Sequence, residues 1–193
     1  MKTTVASAMA CLAGLAVFAL ATPASAAPTG IQDWSQTPAK VTAVQNVIQP
    51  TYTAGLPLHS TTDIEIEKCG GGYVISADYD RNTAIKQGPT LTIKQVGSAS
   101  DCDTDPATYF GKVSTVSTPA GKAIISAQCG WDAAAQAPMS GYNGGPCKRS
   151  DVARTGGLIF IAPSGKSPAV QVETTGLSYA QLLKVAKGLK PVA

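Results

Sequence analysis

The side chains that could do chemistry in this chain are few. One histidine, His59, stands between Leu58 and Ser60, and it is the only near-neutral base available to a Ser-His-Asp hydrolase. No G-x-S-x-G elbow and no H-E-x-x-H pair accompany it. Glu65, Glu67, Asp78 and Asp80 are acidic, as glycoside hydrolysis requires, but strand alternation puts Glu65 and Glu67 on one solvated face. Asp101, Asp103 and Asp105 begin a D-x-D-x-D run like the start of a calcium loop. Pro106 then stands where such a loop needs glycine, and Lys112 where it needs glutamate, so a solvated acidic turn is expected. Gly165-Lys166-Ser167 lacks the earlier glycine of a phosphate loop, since Phe160 occupies that place. We therefore assign no catalytic residue, no metal and no cofactor from sequence.

Binding has a better candidate. Trp131, Met139 and Tyr142 are large groups in a small-residue stretch between Cys129 and Cys147. Aromatics on a braced loop form a ligand platform; the alternative is that they fold back over the sheet edge.

The cysteines imply that bracing. Residues 1–26 have the pattern of an export signal: basic Lys2, an apolar run from about Ala8 to Ala21, and Ala24-Ser25-Ala26 for cleavage. The run is too short to span a membrane, and no transmembrane segment is expected later. Cys11 falls inside the signal, leaving Cys69, Cys102, Cys129 and Cys147 for an oxidising compartment. A secreted, extracellular protein is expected. Its net charge of +3, one less without Lys2, is too weak to suggest nucleic acid as partner.

The elements that position these groups follow from periodicity. Residues 27–62 read as a leader and a short helix, started by Thr37-Pro38, carrying Val41, Val44, Val47 and Ile48 on one face, and ended by Pro50. From Asp63 the period becomes two. Strands are expected at Ile64–Glu67, Tyr73–Tyr79, Leu91–Val96, 113–118, 122–128, Leu158–Ala162 and Val170–Glu173. Short turns such as Thr118-Pro119-Ala120-Gly121 make them antiparallel. Ser178 and Gln181 form a capping box, with Leu177 and Leu182 placed as a hydrophobic staple. Gly188 and Pro191 end the helix that follows. The fold class is α+β: residues 63–193 form an antiparallel sheet packed by a C-terminal helix and a short N-terminal one, with two disulfides. If Tyr73–Tyr79 pairs with Leu91–Val96, opposed residue numbers sum to about 169, which brings Cys69 near Cys102. Cys129–Cys147 then follows by elimination.

Some stretches resemble a known group. They are Pro89-Thr90-Leu91-Thr92-Ile93-Lys94-Gln95, Gly111-Lys112-Val113, Gly121-Lys122-Ala123, Val170-Gln171-Val172 and the closing Leu177–Leu189. Over residues 63–189 the chain resembles extracytoplasmic domains of bacterial lipoproteins and of anti-sigma factors in high-GC Gram-positive bacteria. The resemblance implies a curved antiparallel sheet with a helix, distantly like the lipoprotein-carrier fold. It implies binding rather than catalysis and supplies no catalytic residue. The chain departs from the group in its four cysteines and in having no lipid-attachment site. Three functions stand as expectations: a non-enzymatic binder holding a hydrophobic ligand, cell-wall component or protein on the sheet; a small hydrolase using His59; and an inhibitor or signalling partner acting through the 129–147 loop.

Overall fold

In a computed structural model, residues 33–37, 46–59, 64–81, 88–97, 109–132, 135, 137–140, 142, 144–165 and 167–192 are described. The expected export signal at 1–26, the middle of the expected N-terminal helix, and Asp101, Cys102, Asp103 and Asp105 lie outside them.

Alternation of apolar and polar residues does most of the building. The strands are β1 (Ile48–Pro50), β2 (Glu65–Cys69), β3 (Gly72–Tyr79), β4 (Thr90–Val96), β5 (Gly111–Thr118), β6 (Gly121–Ala127), β7 (Trp131–Asp132), β8 (Ala137–Pro138), β9 (Gly157–Ile161), β10 (Ala169–Thr175) and β11 (Leu189–Pro191). The helices are α1 (Arg149–Thr155) and α2 (Tyr179–Gly188), and Trp34–Gln36 form a single 3₁₀ turn. Seven strands make one sheet in the order β2-β3-β4-β10-β9-β6-β5, and every pairing in it is antiparallel. The α+β expectation is thus met. The β3–β4 register, with Tyr79 opposite Leu91 and Val74 opposite Val96, lies within one residue of the expected one.

One face of the sheet carries Ile75, Ala77, Leu91, Ile93, Ile125, Ile159 and Val172, all at most 2% exposed. Onto it pack Leu182, Val185 and Ala186 of α2, Val152 of α1, and Trp34, Val47 and Ile48 from the N-terminal segment. Burying such a set drives folding at about 1.5–3 kcal/mol per large side chain. The opposite face is more polar. Glu65, Glu67, Asp78, Thr115, Ser117, Lys122 and Glu173 are exposed there, around the neighbouring pair Ile124 and Phe160.

Two polar side chains hold the N-terminal segment on the core. Gln95 is fully buried, and its amide accepts from Ile48 N at 2.7 Å and donates to Ile48 O at 2.6 Å. Trp34 Nε1 donates to the Tyr79 hydroxyl at 2.6 Å. Burial pushes the Tyr79 phenol above its ordinary range, partly offset by that donated bond.

Two expectations are corrected. Ile48 does not end a helix: Ile48–Pro50 is a strand paired with Leu189–Pro191, because Gln95 and β11 both satisfy its backbone in extended form. Gly188 does end α2, as expected. It is the last helical residue, and Leu189 leaves directly in extended backbone to start β11. Where two disulfides were expected, one pair is found among the described residues, Cys129–Cys147. Cys69 is a half-cystine, and its expected partner, Cys102, lies outside the described residues. Ser178 and Gln181 do form the capping box, and Leu177 and Leu182 are buried together.

Candidate binding loop

The loop between Cys129 and Cys147 begins where β6 ends and returns to the edge strand β5. Gly130 N donates to Tyr109 O, and Cys147 N donates to Lys112 O, so both roots are fastened to the start of β5. The disulfide joins the roots with a Cα separation of 5.9 Å. Within the loop, Trp131 pairs with Pro138 and Asp132 with Ala137 in a two-rung ladder. Asp132 Oδ1 accepts from Ala135 N at 3.1 Å, closing the turn.

The three side chains singled out from sequence have different fates. Met139 is 49% exposed, although its backbone is held by a 2.7 Å bond to Gly130 O. Trp131 is half-buried, with its ring 5.0 Å from Tyr109 at an interplanar angle of 57°. Tyr109 in turn lies 5.1 Å from Phe110. Tyr142 turns inward. Its ring lies over Gly130 and its hydroxyl reaches the end of a slot at Gly111. There it donates to Gly145 O at 2.7 Å and sits 3.2 Å from the Cys129 sulfur and 3.7 Å from that of Cys147. Burial, and then the negative charge of Asp151, push this phenol above its ordinary range.

Asp151 anchors the C-terminal root. Its carboxylate accepts from Arg154 Nη2 at 2.7 Å and from Lys148 N at 2.8 Å. Those two bonds hold its pKa below the usual carboxylate value, Arg154 contributing most. The Cys129 and Cys147 sulfurs and the Asp151 carboxylate all lie within 4.8 Å of one another. A metal takes thiolates, and these sulfurs are bonded to each other, so the trio is not a ligand set.

His59 sits elsewhere, at the far end of β3. An isolated bridge pairs Leu58 with Tyr79, and His59 N donates to Asp78 O. That ladder brings the His59 Nδ1 to 2.7 Å from Asp80 Oδ1, with both side chains partly exposed. Among the described residues, no hydroxyl or thiol is hydrogen-bonded to the His59 ring. Glu65 and Glu67 share the exposed side of β2 with no catalytic partner assembled around them in the described residues.

Tyr109 and Phe110 were not singled out by sequence, and Asp80 was named there only as an acidic residue, not as the partner of His59. The first two stand immediately before β5, and only the Gly130–Tyr109 bond reveals that Tyr109 backs Trp131, with Phe110 packed on Tyr109 in turn. The pairing of Asp80 becomes visible once the bridge between Leu58 and Tyr79 sets the register. No protein-family model, no curated protein and no solved structure matches the chain. Among the described residues, no helix is long and apolar enough to cross a membrane.

Proposed function

We propose that this chain is an extracellular, non-enzymatic binding protein that engages a protein partner through its disulfide-tied loop, with Trp131 and Met139 as the contacting groups. The observation that carries this reading is Met139, 49% exposed while its backbone is tied to Gly130, next to Trp131, on a loop fixed at both roots. Large apolar groups held rigidly at a surface lose little entropy on binding, which is what a protein-binding anchor needs. Tyr142, by contrast, serves the loop's own packing. A carrier of apolar ligands on the helix-bearing face is less well supported, since that face is filled by α1, α2 and the N-terminal segment. The sequence resemblance contributes only the expectation of binding over catalysis.

The test is a photo-crosslinking amino acid at position 139 of the secreted protein, in medium of the exporting cell, with position 122 as control. A discrete extracellular partner captured from 139 and lost in Trp131→Ala supports the reading. Equal capture from both positions, or none, overturns it.

One observation favours a second reading. The Asp80 carboxylate at Nδ1 of His59 is the arrangement that fixes the histidine tautomer in a hydrolase, leaving Nε2 as base. Hydrolysis of short-chain aryl esters that disappears in both His59→Ala and Asp80→Asn would establish it. An ester turnover equal in the wild type and His59→Ala would dismiss it.

A further inference from the structure

The sheet has two edges, β2 and β5, and they differ in chemistry. An edge strand presents unpaired N–H and C=O groups to any extended chain that approaches, and proteins guard such edges with charge, proline or a bulge. β2 is guarded: Glu65, Glu67 and Lys68 are three of its five residues, and all are exposed. β5 is guarded only at its start. A bulge falls between Lys112 and Ser114, and Cys147 N covers Lys112 O at 3.1 Å. From Ser114 to Thr118 the outward backbone groups have no partner among the described residues, and Val113–Thr118 contains neither charge nor proline.

The core also stops short at this edge. Val113, Val116 and Tyr179 pack against the main cluster yet remain half-buried. The Tyr179 hydroxyl, 2.9 Å from Ser114 Oγ, places the start of α2 at the same border. A further strand laid along β5 would cover these groups and satisfy the open ladder.

We propose that this strand is β5 of a second copy, paired antiparallel about a two-fold axis perpendicular to the sheet. Such an interface is isologous, so each residue meets residues of its own strand. Like charges facing each other across a ladder are destabilising. β5 offers none between Val113 and Thr118, whereas two β2 strands would bring Glu65 and Glu67 against their own copies. The neutral strand is the self-complementary one. The proposal is independent of any role for the 129–147 loop.

Sedimentation velocity of the mature protein over about 1–500 µM reads the association directly. A dimer is expected, with a dissociation constant that rises at least about tenfold in Thr115→Lys/Ser117→Lys, which places like charges on the exposed side of the strand. Glu65→Ser/Glu67→Ser should leave the dimer unchanged. A monomer throughout, or a dimer that the lysines leave intact, overturns the proposal. Should the lysine variant misfold, backbone amide exchange on the unaltered protein decides. Protection of residues 114–118 that grows with concentration supports the interface, and protection independent of concentration overturns it.

Discussion

A Cβ placed on Gly130 would fall 2.1 Å from Cδ1 of Tyr142. Glycine at 130 is therefore required by the ring lying over it, and the hydroxyl at the far end of that ring meets Gly111 in the same way, at 2.2 Å. The loop is seated by an aromatic plug between two glycines, with the disulfide beside its tip.

Gly130→Ala should accordingly destabilise the domain by about 1–3 kcal/mol, the usual cost of overpacking a filled site. The two residues share one contact, so their effects will not add. In a Tyr142→Ala background the added methyl should cost much less. Urea unfolding of the two single variants and the double variant measures this, and additive costs would show that the ring does not hold that position.

Gln95→Leu removes an amide that serves both backbone groups of Ile48. A leucine fills the volume and leaves a buried N–H and C=O unpaired, for a loss of about 2–4 kcal/mol. The amide of Ile48 should exchange faster with solvent in this variant while the amides of β9 and β10 change little. Uniform acceleration would indicate global unfolding instead.

Asp151 gives a pH signature. Its pKa is lower in the folded protein than the ordinary 3.8, so its contribution is fully present above that value. It is lost as pH falls through the folded-state pKa. The stability difference between the wild type and Asp151→Asn should be about 1 kcal/mol at neutral pH and close only below about pH 4. Chemical denaturation at several pH values reads it, and a difference that widened on acidification would reverse the assignment.

Replacing Cys129 and Cys147 together with serine should cost about 2–4 kcal/mol, on the chain-entropy account of disulfides. The loop roots also hold backbone bonds to Tyr109 and Lys112, so the sheet should survive. We expect a lower midpoint in thermal unfolding with far-ultraviolet circular dichroism retained at 25 °C. Loss of the sheet signal would mean that the loop is needed for folding itself.

The strands were legible because β sequences announce themselves by alternation. Ile75, Ala77 and Tyr79 face inward while Ser76 and Asp78 face outward, as their spacing implies. The Ser178–Gln181 box marked the start of α2 just as directly. α1 was missed for a physical reason: in Arg149–Thr155 the one buried apolar side chain is Val152, which is no periodicity at all. Its signal is Asp151 reaching back to Lys148 N, and that signal is local and common. The N-terminal error has a different source. Valine spacing across 41–48 fits a helix, but Ile48 is claimed by partners 47 and 143 residues away, Gln95 and Pro191, which no local pattern encodes. The same blindness hid the Trp131–Tyr109 contact and the Asp80 partner of His59, since each depends on register between distant segments.

The order of strands carries a consequence for assembly. β9 and β10 lie between the β2-β3-β4 meander and the β5-β6 hairpin, although they come last among the seven in the chain. Until residue 175 has emerged, the two earlier groups have no strand to join them. What exists before then is a pair of separate antiparallel fragments, each with an apolar face and an open flank. Closure is thus a late, long-range event, of the kind that folds slowly because distant segments must meet before any contact rewards them. A chain cut anywhere before β9 would lack the keystone of the sheet, however complete its remaining hairpins.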